Sequence, residues 1–390
     1  MPWKELNLMN QRTEFVLKSM RTHNFRALCA EYGISAKTGY KWRERFLQFG
    51  LEGLQEHSRR PARSPGGLSE AVVCEIIRLK NAHRWWGPRK IRALYQRVHL
   101  GPVPSESSFK RVLQRAGLVQ ARRMRHRKET GRLYTGRQAS APNEIWTVDF
   151  KGWWYDWQGK RCEPLTVRDE FSRYLLDLRA VADARTETVR ACFEGLFERY
   201  GLPAAIRSDN GTPFASVRSV LGLSRLSAWW LVLGIDLERG RKGCPQDNGG
   251  HERMHGDVER ELRGQQWEDR QAALDQWRHT FNTERPHEAL GMRCPAEVYQ
   301  PSGREYKGTP EELTYPGMAT RCVHQLGYIS WQQQRVAISR ALAGWSVGLE
   351  PNARGCWNVW FGRLLLGQLD TRTLCLERAD GVLEEGTHEA

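Results

Sequence analysis

Ser208-Asp209-Asn210-Gly211-Thr212-Pro213-Phe214 follows a short apolar run, Ala204-Ala205-Ile206, and places a carboxylate where a strand gives way to an Asn-Gly turn. Two other acids stand in comparable positions. Asp149 sits in Ile145-Trp146-Thr147-Val148-Asp149-Phe150-Lys151-Gly152-Trp153-Trp154, a strand by its β-branched and aromatic content. Glu252 follows Pro245-Gln246-Asp247-Asn248-Gly249-Gly250-His251, where a helix is expected to begin. Neither position is where a solvated carboxylate is usually put.

Carboxylate oxygens are hard ligands suited to Mg²⁺ or Mn²⁺, and two such ions about 4 Å apart can clamp the attacking and leaving oxygens of a phosphoryl displacement. Asp149, Asp209 and Glu252 are therefore the candidate catalytic residues and the candidate ligands of two ions. Trp146 to Phe150, Ser208 to Phe214 and Asn248 to Glu252 resemble the Trp-x-x-Asp-Phe, Ser-Asp-Asn-Gly-x-x-Phe and Asn-x-x-x-Glu patterns of the DDE insertion-sequence transposases. Arg285-Pro286-His287-Glu288-Ala289-Leu290 and Pro295-Ala296-Glu297-Val298-Tyr299 are similar to the same family. The resemblance implies a retroviral-integrase-like (RNase H-like) α/β core that cuts DNA 3′ ends and joins them to target DNA. It also implies double-stranded DNA partners (terminal inverted repeats and target), a homo-oligomer on DNA, and a place at the nucleoid of a bacterial cytoplasm. The interval of 42 residues between Asp209 and Glu252 is longer than in the best-known relatives, and Asp247 and Glu259 stand as alternatives for the third acid.

At 390 residues the chain is long enough for several domains. Its net charge of +15 is unevenly spread, because residues 1–140 hold 29 Lys and Arg against 10 Asp and Glu while the remainder is slightly acidic. So concentrated a surplus points to a DNA grip in the N-terminal part. The nine cysteines form no Cys-x-x-Cys pair, which excludes a zinc ribbon and argues for reduced thiols. Neither a signal peptide nor an apolar run of spanning length is present, so no membrane partner is expected.

The first helical set runs Gln11 to Arg21, Phe25 to Tyr32 and, behind Gly33 and a Ser35 cap, on to Phe49. Its last helix carries Lys37, Lys41 and Arg43 and has the form of the recognition helix of a helix-turn-helix. Arg59, Arg60 and Arg63 lie in a Pro- and Gly-rich stretch suited to a minor-groove arm or a plain linker. A second set, Ser69 to His83, Pro88 to Val98 and Ser105 to Ala116, looks like another such module and offers Arg89, Lys90, Lys110 and Arg111. Arg122, Arg123, Arg125 and Arg127 are expected to track phosphates on the way to the core.

From Pro142 the pattern changes to three strands, a helix from Thr186 to Tyr200 and a strand reaching Asp209. Beyond Glu252, Met254, Val258 and Leu262 recur on one helical face, with Glu252, His255 and Glu259 on another, toward the acids. Short strands from Arg321 to Asp370 with Gly turns suggest a small β-barrel. The expected domains are 1–57 and 69–120 (helix-turn-helix), 142–300 (core) and 319–385 (barrel), joined by linkers 58–68, 121–141 and 301–318.

Two other readings compete. His251-Glu252-Arg253-Met254-His255 fits the zinc-protease signature His-Glu-x-x-His, although Gly249-Gly250 place it at a helix start rather than within a helix. The basic N-terminal part alone would also suit a non-catalytic DNA-binding regulator.

Overall fold

Side-chain caps set the starts of the N-terminal helices: Asn24 Oδ1 accepts from Ala27 N at 3.1 Å and Ser35 Oγ from Thr38 N at 3.2 Å. The computed structural model describes residues 8–56, 67–119, 136–216, 219–240, 249–352 and 355–379. The chain divides into two units between Ser69 and Glu70. In the first, α1 (Leu8–Ser19), α2 (Phe25–Glu31) and α3 (Ala36–Phe49) close around Phe15, Val16, Leu28, Cys29, Trp42 and Leu54. Lys37, Tyr40 and Lys41 stay exposed on α3, so burying Trp42 turns the basic side of the helix outward.

The second unit begins with α4 (Glu70–Ala82), α5 (Pro88–Val98) and α6 (Glu106–Arg115), which bury Ile76, Leu79, Ile91, Tyr95, Phe109 and Leu113. Pro88 opens α5 with its φ already helical, and Ser105 caps α6. The core follows as β1 (Ile145–Phe150), β2 (Trp154–Tyr155), β3 (Arg161–Cys162), β4 (Pro164–Asp169), β5 (Leu175–Ala180), α7 (Thr186–Tyr200) and β6 (Ala205–Ser208). It continues through α8 (Arg225–Val232), β7 (Asp236–Arg239), α9 (Gly249–Leu262) and α10 (Arg270–Thr283).

The core sheet has the order β5-β4-β1-β6-β7, antiparallel from β5 to β1 and parallel from β1 to β7. Trp146, Val148 and Ile206 face α7 and α8, where Phe193, Phe197, Trp229 and Trp230 are buried. On the other face α9 and α10 cover the sheet with Met254, Val258, Leu262, Leu274, Trp277 and Phe281. At 25–30 cal/mol per Å², burying two tryptophans on α8 alone is worth roughly several kcal/mol. Both faces of the strand bearing Asp149 are thus covered, and its end is the accessible part.

The C-terminal strands β8 (Ala319–Cys322), β9 (Tyr328–Trp331), β10 (Gln334–Ala337), β11 (Ser346–Pro351), β12 (Trp357–Phe361), β13 (Leu364–Asp370) and β14 (Cys375–Arg378) do not form the expected closed barrel. They make an open five-stranded sheet, β14-β13-β12-β11-β8, and a separate β9-β10 hairpin, so the ladder has two edges. Sequence periodicity reports alternation along each strand, and closure depends on which strands pair, a non-local property. The inner face of this sheet joins the α7-α8 core through Val347, Leu349, Val359 and Phe361.

Candidate active site

Parallel pairing of β1 with β6 places Ile145 opposite Ala205, Trp146 opposite Ile206 and Thr147 opposite Arg207. β6 ends at Ser208, so Asp209 stands just beyond the strand that pairs with the one carrying Asp149, near enough for its charge to act on the Asp149 carboxyl. Residues two apart share a face, so Asp149 stands on the α9 side together with Thr147. Glu252 lies in the first turn of α9 and is exposed, as is Asp209, while Asp149 is half-buried. The Asp149 carboxyl is pushed up to about 7, first by burial and then by the Asp209 charge, with Glu252 adding to the same effect and a bond from the Phe150 amide opposing it. Asp149 therefore feels the charges of both other acids.

The three do not close into a coordination cage. Among the described residues no group of three or more His, Cys, Asp or Glu side chains stands at ligating distance of one point. The all-oxygen donor set itself fits a hard divalent ion.

The two aspartates are supported from behind. Thr166 Oγ1, opposite Asp149 on β4, donates to Asp149 O at 2.9 Å and lies 2.8 Å from His255 Nε2, tying α9 to the strand. Gly211 N donates to Asp209 Oδ1 at 3.1 Å, and Asn210 Nδ2 donates to Gly240 O at 2.8 Å, anchoring the turn to the end of β7. A Cβ on Gly211 would fall 2.9 Å from Asp209 Oδ2. If the acids cut DNA with Mg²⁺, as the sequence resemblance implies, Gly211→Ala is expected to move that carboxylate rather than the backbone, lowering cleavage by about tenfold with a melting temperature within about 2 °C of the parent. Undiminished cleavage would show that Asp209 need not hold this rotamer.

Arg239 carries no signal in the sequence. Register places it opposite Ser208, the Asp209 charge reaches it, and it donates to Gly222 O at 3.1 Å; burial lowers its pKa while Asp209 raises it. It ends a four-residue strand with no motif around it, which is why only pairing reveals it. Gly250, at the start of α9, has no room for a side chain: a Cβ would lie 2.5 Å from the guanidinium of Arg168, itself buried and paired with Glu170.

The expectation for α9 needs correction at His255. His251 and His255 are buried with Met254, Val258 and Leu262, because about 100° per residue puts both rings within the arc of those apolar residues. Burial holds both imidazoles well below their usual pKa, hence neutral. With Glu252 exposed and the His255 nitrogen engaged by Thr166, the His-Glu-x-x-His stretch does not gather as a zinc site. Glu259 is bonded to Lys151 at 2.7 Å and to Arg263 at 3.2 Å, which hold its carboxyl below the usual range. Asp247, the other alternative third acid, lies outside the described residues.

The basic candidates separate into three groups. Lys37, Lys41, Lys110 and Arg111 are exposed on α3 and α6, while the Arg43 guanidinium lies over the rings of Phe25 and Tyr40 at 5.0 and 5.1 Å. Arg89 bonds Glu106 at 2.7 Å and nears Glu288 at 3.5 Å, and Lys90 is half-buried beside core acids. Arg59, Arg60, Arg63, Arg122, Arg123, Arg125 and Arg127 lie outside the described residues. Sequence reasoning missed an open groove of about 780 Å³ on the core, lined in part by Arg137, Arg173, Arg207 and Arg293.

Comparison with known proteins assigns residues 139–245 and 233–295 to integrase core domains. Residues 11–62 match a helix-turn-helix domain, 38–113 a homeodomain-like domain, and 318–375 the C-terminal domain of IS481 family transposases. A 31.7 kDa protein of insertion element IS407 from Burkholderia multivorans is 28% identical over 240 residues, 60% of this chain and 82% of the relative. A 39.2 kDa protein of insertion element IS476 from Xanthomonas euvesicatoria is 27% identical over 260 residues, 63% of this chain and 70% of the relative. Among solved structures, the magnesium complex of the HTLV-2 integrase catalytic core is 17% identical and covers 42% of this chain and all of that one, with a TM-score of 0.31. Among the described residues no helix is long and apolar enough to cross a membrane.

Proposed function

We propose, for a chain whose domains make it an insertion-sequence transposase with a retroviral-integrase-like core, that Asp149, Asp209 and Glu252 form the site that cuts the element's 3′ ends and joins them to target DNA. The observation that carries this reading is that Asp149 and Asp209 stand at the ends of the paired strands β1 and β6, and that the charges of Asp209 and Glu252 both act on the Asp149 carboxyl. The three carboxylates would hold Mg²⁺ or Mn²⁺, two ions in all; when bound, such ions polarise the scissile phosphate and stabilise the departing oxygen. The chain's own part is positional. The β1-β6 ladder sets the spacing of the aspartates, Thr166 fixes the backbone carrying one of them, and the Gly211 amide orients the other.

Terminal inverted repeats and target duplex are the proposed substrates, in a homo-oligomer assembled on DNA. Lys37, Lys41, Lys110 and Arg111 are the exposed cations proposed to meet DNA, with Arg43 reading a base edge from beside Phe25 and Tyr40. The decisive assay incubates the full chain with the element's terminal DNA and a target duplex, with Mg²⁺ or EDTA. Nicked 3′ ends and joined products in Mg²⁺ alone are expected. Tight binding without either product would favour the non-catalytic regulator.

Asp149 also yields a stability test. Its folded-state pKa lies above its ordinary value, so the native chain keeps a proton that the unfolded chain has lost, and stability falls as pH rises from 3.8 to about 7. A gap of that size has a ceiling of roughly 4 kcal/mol, and partial exposure brings the expectation to roughly 1–3 kcal/mol. In EDTA, Asp149→Asn is therefore expected to melt higher than the parent at pH 8 and to converge with it near pH 4. Parallel melting curves across that range would mean that Asp149 ionises normally.

A further inference from the structure

The outer face of α9 is covered by charge. Asp257 and Glu261, one turn apart, both bond Arg285, Glu261 at 3.1 Å, and Trp277 Nε1 donates to Glu261 at 2.8 Å. A second cation, on α5, lies in the field of the same acids. Lys90 is half-buried in the combined field of Asp257, Glu261 and Glu288, with burial and Arg285 working against its charge and pulling its amine down to about 8. Two turns further along α5, Arg97 donates to Met292 O at 3.1 Å and Glu297 Oε2 at 2.8 Å and lies 2.8 Å from Cys294 Sγ. In the turn between α4 and α5, Trp85 lies under Arg260 of α9 at 5.6 Å.

A lysine turned from water costs free energy that only nearby acids offset, and arginine forks of this kind require fixed geometry on both sides. The charged side of α5 is spent on the core. α6 is left with Lys110 and Arg111 exposed, and α9 is gripped between this module and the sheet that buries His251, Met254 and Val258.

We propose that the α4-α6 module is docked in cis on the core, through Arg97 on the 292–297 segment and Trp85 against Arg260 of α9, so that the module that grips the DNA end and the helix bearing Glu252 move as one body. Lys90 and Arg97 are then positioning residues for the reaction. The proposal rests on the reading of Glu252 as an active-site acid.

Four full-length variants test it: Lys90→Met, Lys90→Arg, Arg97→Glu and Glu297→Arg. DNA-end binding, single-turnover cleavage in Mg²⁺ and hydrogen exchange of residues 249–262 are measured for each. Lys90→Met and Arg97→Glu are expected to bind within about threefold of the parent but to cleave roughly 10- to 100-fold more slowly, with faster exchange in α9. Lys90→Arg, which keeps the charge, should stay within about threefold of the parent rate. Mixing Arg97→Glu with Glu297→Arg chains should recover nothing, since cis docking never brings the two reversed charges together. Unchanged exchange in both Lys90→Met and Arg97→Glu would overturn the docking, and recovery of cleavage in the mixture would overturn its cis arrangement. If the parent cuts no DNA, the proposed function has failed, and the exchange result still decides the docking.

Discussion

Asp149→Asn, Asp209→Asn and Glu252→Gln are each expected to lower 3′-end cleavage and joining by roughly 10³-fold or more while leaving terminal-DNA binding within about twofold. The amides nearly keep the shape of the acids but lose the anionic charge that a divalent ion requires, and the DNA-binding helices are far away in the sequence. The structure sharpens the comparison with the alternatives. Glu259→Gln breaks the 2.7 Å pair with Lys151, so it should cost stability before catalysis. If Glu252→Gln keeps activity while Asp247→Asn loses it, the third ligand moves to Asp247 and the mechanism stands. Full cleavage by Asp149→Asn and Asp209→Asn in Mg²⁺ would end the reading of this sheet edge as the catalytic centre.

What could be read in the sequence was local. Ser35 and Ser105 are caps in the structure as they are in the pattern, and α7 runs from Thr186 to Tyr200 as its spacing predicts. The elements that escaped reading were those whose environment removes the periodic signal. In α8 Leu226, Ser227, Ala228, Trp229, Trp230 and Val232 are all buried, so the helix has no polar face to set a period. In β7, Asp236-Leu237-Glu238-Arg239 looks like a charged turn and becomes a strand only because β6 offers it a parallel edge. Its discovery matters for the site, because that pairing brings Arg239 to Asp209. His255 was misplaced for the opposite reason: a polar ring was assigned to the polar side, whereas its helical angle puts it among apolar residues and Thr166 satisfies its nitrogen. The basic residues of α5 show what composition leaves open, since a basic helix has the same composition whether it meets phosphate or carboxylate.

That distinction leads to the second large effect, a steep fall in DNA affinity with salt. Each phosphate neutralised by a lysine or arginine releases bound counterion, and a protein making six to ten such contacts loses roughly 10³- to 10⁵-fold in affinity between about 50 and 200 mM salt. Residues 1–140 hold 29 Lys and Arg, but several are already tied to carboxylates, among them Arg12 to Glu56, Lys18 to Glu14, Arg78 to Glu75, Arg89 to Glu106 and Arg97 to Glu297. The number of contacts counted by a salt titration of the full chain should therefore fall far short of the number of cations. Lys37→Ala and Lys41→Ala, on the exposed side of α3, are each expected to reduce the slope by about one. Lys90→Met should leave the slope unchanged, because its amine is half-buried in the field of Asp257, Glu261 and Glu288. If Lys90→Met lowers the slope as much as Lys37→Ala does, α5 turns toward DNA and cannot also be seated on α9; a flat titration would remove the electrostatic grip altogether.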